Sequence, residues 1–203
     1  RKVRSSTEYN RPRAASAALA LLGTAPAAKS AWWDQPARTL ARPPVDRPAD
    51  ALDALAVARL AAADPDGARS RLEGGLAASL PAEWAAWTWA QVGRQSAVRL
   101  QPEAAADFRR AEAAALRAKG GVHFTDDTLA WQVRAALRAT PTDWRMVRTA
   151  IDAMSEAERA DATWTYWVAR AHLALAGDDE IGESERAQAR QQLVAIAGQM
   201  SFY

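Results

Sequence analysis

The stretch Asp161-Ala-Thr-Trp164-Thr-Tyr166-Trp167-Val168-Ala-Arg170-Ala171-His172-Leu-Ala-Leu175-Ala-Gly177 decides the fold. Trp164, Trp167, Val168 and Ala171 recur at three-to-four-residue spacing, which lines one face of an α-helix. Gly177 then reads as a helix stop. The same spacing recurs upstream. It appears in Leu52, Leu55, Ala56 and Arg59-Leu60, in Trp84, Trp87 and Gln91-Val92, and in Leu129, Val133, Ala136 and Leu137. No β-branched run alternates with polar residues, so no sheet is expected.

Start and stop signals fall at regular intervals between these stripes. Asp64-Pro65-Asp66 places a capping carboxylate, a proline at the first helical position and a second carboxylate near the positive end of the dipole. Ser155-Glu-Ala-Glu158 has the spacing of a capping box. Leu80-Pro81, Gln101-Pro102 and Thr140-Pro141 mark further starts, and Gly120-Gly121 a stop. Short connections force consecutive helices to lie antiparallel. The pair Asp161–Gly177 and Glu183–Gly198 looks like a tetratricopeptide-like unit, and earlier pairs match it in length. The expectation is an all-α chain: a superhelical stack of short antiparallel helix pairs, an α-solenoid, forming one domain over residues 1–203. Two stretches stand apart. Arg38 to Pro48 holds three prolines and reads as an extended crossing or loop; Gly177 to Glu185 reads as an exposed acidic loop.

Composition narrows the chemistry. Hydrophobic residues make up 49% of the chain, much of it alanine, and nine Trp outnumber three Phe and three Tyr. That mixture suits thin helix–helix seams plugged by large aromatics. The net charge of +2 comes from 26 basic and 24 acidic residues, an ordinary solvated surface. Arg1, Lys2, Arg4, Arg11 and Arg13 crowd the start of the chain, which fits a frayed end better than a nucleic-acid arm. With no cysteine there are no disulfides, thiolate nucleophiles or Cys-based metal sites. Ala14 to Leu22 is too short to span a bilayer and reads as an amphipathic helix. The chain starts without Met, so a leader or an upstream domain is expected to have been removed.

Each candidate for chemistry has a plainer explanation. His123 and His172 lack a partner at the spacing that puts metal ligands on one helical face. Asp126-Asp127 follow Thr125 at a helix start, where carboxylates meet exposed N–H groups. Asp178, Asp179, Glu180, Glu183 and Glu185 lack the alternating oxygen ligands of a calcium loop. Trp84 and Trp87 share a face and read as core plugs; Trp89 and the Trp32-Trp33 pair stay open as stacking groups. The sequence has no phosphate loop, nucleophile elbow or zinc-protease motif. No catalytic, cofactor-binding or metal-binding residue is assigned.

One ordered series of motifs is more specific. Phe124-Thr-Asp-Asp127-Thr-Leu-Ala-Trp131-Gln-Val-Arg134-Ala-Ala-Leu137-Arg138 leads to Asp143-Trp144, Ala150-Ile-Asp-Ala-Met154, Trp164-Thr-Tyr166-Trp167-Val-Ala-Arg170-Ala171 and Ser201-Phe-Tyr203. This series resembles the helical region of the soluble lytic murein transglycosylases. Tyr9-Asn-Arg-Pro-Arg13 and Leu55 to Asp66 are similar to that region as well. The resemblance implies a periplasmic location in a Gram-negative bacterium. It also implies a ring-like α-superhelix preceding a lysozyme-like domain, and cleavage of peptidoglycan glycan strands to 1,6-anhydro ends by one Glu in a Glu-Ser-x-Phe context. Glu183-Ser184 is followed by Glu185-Arg186, so the Phe is missing, and a charged loop offers nothing to raise a carboxyl pKa. Glu183 is therefore a decoy. Thr142-Asp143-Trp144 and Met154-Ser155 stand where the family usually has Gly-Asp-Trp and Met-Pro.

The function expected is the non-catalytic superhelical scaffold of a peptidoglycan lytic transglycosylase, with the catalytic domain beyond Tyr203. Its partners would be glycan strands, through the parent enzyme, with no cofactor, no nucleic acid and no membrane span. The alternative is a tetratricopeptide-like protein-interaction scaffold unrelated to murein.

Overall fold

The computed structural model describes residues 36–41 and 51–200. All regular structure among them is helical. The Ala14–Leu22 segment, the basic N-terminal residues, Trp32-Trp33, Ser201 to Tyr203 and the prolines at 43, 44 and 48 lie outside the described residues. The chain divides between Thr128 and Leu129 into two compact units.

The first unit begins with α1 (Pro36–Leu40) and α2 (Ala51–Ala63). The expected loop from Arg38 thus opens inside a helix, because Pro36 occupies a first helical position where its missing N–H costs nothing. Asp64 ends one helix and begins the next. Its N–H donates to Leu60 O at 2.7 Å, and its Oδ1 accepts from Gly67 N–H at 2.9 Å. The second bond opens α3 (Pro65–Arg71), the start that the Asp-Pro-Asp signal predicts. A widened turn over Leu72–Leu76, broken at Gly75 (φ 111°), leads to the single turn α4 (Ala77–Ser79). Two long helices follow, α5 (Ala82–Val98) and α6 (Ala104–Ala115).

In α2 the buried face is Asp53, Ala54, Ala56, Val57, Leu60 and Ala61, whereas Leu52 and Leu55 are only half-buried. The expected leucine stripe is thus displaced toward small residues. Small side chains let backbones approach, and the larger leucines are left at the rim of the seam.

Helix α5 is the axis of this unit. Trp84, Ala85, Ala86, Thr88, Trp89, Ala90, Val92, Gly93, Ser96 and Ala97 are all buried, so most of its circumference is covered. It packs against α2, α3 and α6. Three cross-contacts fix α6 antiparallel to it: Ser96 meets Asp107, Gly93 meets Phe108, and Trp89 meets Arg110. Gly93 permits the close approach, because a Cβ there would sit 3.1 Å from Cδ2 of the fully buried Phe108 ring.

One ionic cluster runs through this packing. Asp107 on α6 is 0% exposed. Arg69 on α3 reaches it with Nε at 2.9 Å from Oδ1 and Nη2 at 2.9 Å from Oδ2. Arg69 also donates to Ser96 Oγ on α5 at 2.9 Å and to Asp66. Ser96 Oγ donates onward to Asp107 Oδ2 at 3.1 Å. Arg110 adds a bond to Asp107 Oδ1 at 3.1 Å and an ion pair to Glu73 at 2.7 Å. The Asp107 hydrogen bonds push the Arg69 guanidinium pKa further up, against the opposing effect of burial, so it stays cationic at every accessible pH.

Helix α5 ends in a double-bonded cap. Gln101 N–H donates to Ser96 O at 2.9 Å and Leu100 N–H to Ala97 O at 3.1 Å, with Leu100 at φ 59°. This bond pattern normally places glycine where Leu100 stands.

In the second unit α7 (Asp126–Arg138), of which residues 129 onward belong here, is followed by α8 (Trp144–Asp152), α9 (Glu156–Arg159), α10 (Ala162–Leu175) and α11 (Glu180–Met200). The Thr140–Pro141 peptide is cis. Pro141 does not open a helix: α8 starts three residues later, capped by Asp143, whose Oδ1 accepts from Met146 N–H at 3.0 Å. Leu129, Val133, Ala136, Met146, Val147, Ile151, Met154 and Trp164 supply the buried apolar side chains, and α10 packs against both α8 and α11.

The acidic stretch is shorter as a loop than its sequence suggests, because α11 already begins at Glu180. Asp179 Oδ1 accepts from Gly182 N–H at 2.8 Å and nucleates that first turn. Gly182 is buried against Gly177, where a Cβ would lie 2.1 Å from the Gly177 carbonyl oxygen, so no other residue fits. Among the described residues, no helix is long and apolar enough to cross a membrane.

Asp107→Ala should destabilise the first unit by about 3 kcal/mol, since it strands the Arg69 charge with only Asp66 and Ser96 as partners. The double variant Arg69→Met with Asp107→Leu should recover most of the loss in urea unfolding. Leu100→Gly should raise stability by about 1 kcal/mol by removing an unfavourable left-handed conformation from a side chain that is 68% exposed.

Candidate functional site

In the second unit Trp131, Arg134, Glu158 and Trp164 form one cluster. Trp164 on α10 is buried, and its Nε1–H donates to Glu158 Oε1 at 2.9 Å. Glu158 is held in turn by the cap of α9, where Ser155 Oγ accepts from Glu158 N–H at 3.3 Å. Arg159 Nη1 donates to Asp152 O at 2.8 Å and ties α9 back to α8. Arg134 on α7 completes the cluster. Its guanidinium carbon lies 5.0 Å from the Trp131 ring centroid and 5.5 Å from that of Trp164, so one cation faces two indoles. Further along α10, Tyr166 and Trp167 meet edge to face at 5.0 Å. Arg170 lies 5.9 Å over the Tyr166 ring and donates to its hydroxyl at 3.1 Å.

These side chains can stack and can carry hydrogen bonds to anions. Trp131, Tyr166 and Trp167 are half-buried, and Arg134 and Arg170 are exposed. Half-buried rings beside exposed guanidinium groups are suited to recognition.

The other sequence candidates fall into packing and capping roles. Trp84 and Trp87 meet edge to face at 5.7 Å, with Trp84 buried. Trp89, left open as a stacking group by the sequence, is only 5% exposed, with Arg110 over its ring at 4.9 Å. Because α5 is covered on most sides, a residue off the Trp84–Trp87 face is buried too. His123 is exposed in the first unit; His172, expected mid-helix, is half-buried in the last turn of α10 in the second. Asp126 and Asp127 stand in the first turn of α7, where Thr125 Oγ1 accepts from Thr128 N–H at 3.3 Å. Asp127 also pairs with Arg94 at 2.8 Å. Among the described residues, no group of three His, Cys, Asp or Glu side chains is close enough to hold a metal ion.

Glu183 lies in the first turn of α11, bonded to Arg186 at 2.9 Å and near Arg190 at 3.5 Å. The hydrogen bond from Arg186, joined by its charge, holds the Glu183 carboxyl below the ordinary glutamate range. A general acid needs the opposite shift. Ser184 is exposed and no Phe follows it, so this Glu-Ser pair has a helix-end role. Asp161 is likewise lowered by its hydrogen bonds to Thr163, with the backbone N–H at 2.8 Å, as the cap of α10.

Two arrangements escape sequence reading. Arg69 and Asp107 lie far apart in the chain with no spacing to link them. The Trp131–Arg134 contact was legible in principle as an i, i+3 pair, but its second indole comes from a different helix.

Comparison with family models, with curated proteins and with solved structures finds no match to this chain.

The sign of the Glu183 shift sets a pH dependence. Its lowered carboxyl pKa adds stability above the unfolded value of about 4.3, and that contribution is lost as pH falls through the folded value. Carbon-detected NMR titration should place Glu183 below the unfolded glutamate value, and Arg186→Gln should move it back up. A midpoint above the ordinary range would contradict the pairing.

Proposed function

We propose that this chain is the superhelical scaffold segment of a peptidoglycan lytic transglycosylase. In this reading it lies in the periplasm of a Gram-negative bacterium and acts on murein through a separate lysozyme-like domain. Its helix pairs stack in the tetratricopeptide-like manner and present a surface that guides glycan strands toward the distant catalytic Glu.

The observation that carries this reading is the meeting of two separate blocks of the resemblance. Trp131 and Arg134 from one block and Trp164 from another share a single cluster, with Glu158 anchoring the Trp164 ring. Residues that carry the likeness thus serve a joint structural purpose in the second unit. The all-helical architecture supports the same reading. So does the capping and ion-pairing of Glu183, which leaves no acid–base group at the one Glu-Ser pair that imitates the family motif.

Purified sacculi test the proposal in two ways. The chain should co-sediment with them, and it should release no 1,6-anhydro-muropeptides during prolonged incubation. Turnover by this chain would overturn the non-catalytic assignment. Failure to sediment with sacculi would favour a protein-interaction scaffold in place of a murein one.

A further inference from the structure

The Arg134 guanidinium lies within cation–π range of both Trp131 and Trp164, and among the described residues no carboxylate forms an ion pair with it. Cation–π attraction to an indole uses the charge of a guanidinium without using up its N–H donors. Those donors form a fork that matches the two oxygens of a carboxylate.

The fork is also held in place. Trp164 is buried and locked by its bond to Glu158, so the ring under Arg134 is a fixed platform. Trp131 lies one turn before Arg134 on the same helix and supports its other contact. An arginine restrained on two rings loses less freedom when it binds a ligand than a free one does. Arg134 itself is exposed, and Trp131 is half-buried, so a ligand can reach the fork and lie against the edge of an indole. The Glu158 carboxylate, fixed at the Trp164 ring, offsets part of the positive field. That favours a singly charged carboxylate over a doubly charged phosphate.

We propose that Arg134, with Trp131 and Trp164, forms a carboxylate-recognition site, and that its ligand is the carboxylate-bearing peptide stem of a glycan strand. The choice of ligand rests on the murein reading given above; the site itself rests on the geometry alone.

Calorimetric titration of the full chain tests it with three probes: a soluble disaccharide-tetrapeptide fragment of peptidoglycan, the same fragment with its carboxyl groups amidated, and a free triglutamate peptide. The native fragment should bind. Amidation should weaken binding roughly tenfold to a hundredfold, the range for losing a charge-assisted hydrogen-bond pair. Arg134→Lys should weaken it by a similar factor, because an ammonium keeps the charge and loses the fork. The thermal melt of that variant shows whether the fold survives, and the amidated probe needs no variant at all. Equal binding of native and amidated fragments overturns the carboxylate site. Binding of triglutamate without binding of the fragment upholds the site and overturns its murein ligand. No binding of any probe overturns the site, while sedimentation with sacculi still decides the scaffold reading separately.

Discussion

The Asp107 carboxylate has no access to water, and the first unit is organised around meeting its needs. Arg69 supplies two hydrogen bonds from α3, Ser96 one from α5, and Arg110 one from the next turn of α6. Three helices must therefore stand in register before the charge is satisfied. A buried ion pair adds little net stability over apolar packing, but breaking it is expensive. The cluster thus acts mainly against wrong arrangements. A slip of α6 along α5 by one turn would separate the carboxylate from Arg69 and Ser96 and leave it only Arg110 of its own helix as a donor. Gly93 and Phe108 reinforce the same register sterically, one turn away.

The second unit solves the same problem by different means. Its polar groups sit at the margins of aromatic rings. Glu158 holds the Trp164 edge while Arg134 covers faces of two indoles. Helix ends are handled by short side chains: Asp143, Ser155, Asp161 and Asp179 each accept a backbone N–H within the first turn. Such a unit keeps its charges close to solvent, where a ligand can compete for them. Around Asp107, by contrast, the charges are buried and already paired with one another.

The helical class and several helix starts were legible in the sequence, because Asp64-Pro65-Asp66 and Ser155 announce their caps through local chemistry. The faces were less legible. Alanine, glycine, serine and threonine carry almost no hydropathy signal, so the burial of α5 on most sides could not be read from Trp84 and Trp87 alone. Leu52 and Leu55 drew attention by size, whereas the seam runs along Ala54, Val57 and Ala61. Proline misled where it stood in a turn ahead of the true cap, as at Pro141 before Asp143. In the candidate site, Trp131 and Arg134 are neighbours in sequence, but the partnership with Trp164 needs tertiary packing. The acidic character of Gly177 to Glu185 masked a helix start, since carboxylates at an N-terminus and carboxylates in a loop look the same letter by letter.

The alanine seam between α5 and α6 has a consequence for how the protein tolerates change. Ala85, Ala86, Ala90, Ala97, Ala104, Ala105, Ala111 and Ala114 are all buried on these two helices. An alanine has almost nothing to lose by truncation, so outside Trp89 and Phe108 the cavities that usually follow damage to a core can hardly form along this seam. Any enlargement instead pushes two backbones apart along their whole length. The robustness of the first unit is therefore lopsided: it resists erosion and fails by swelling, and its accessible sequence variation is confined to the outer surfaces of the same two helices.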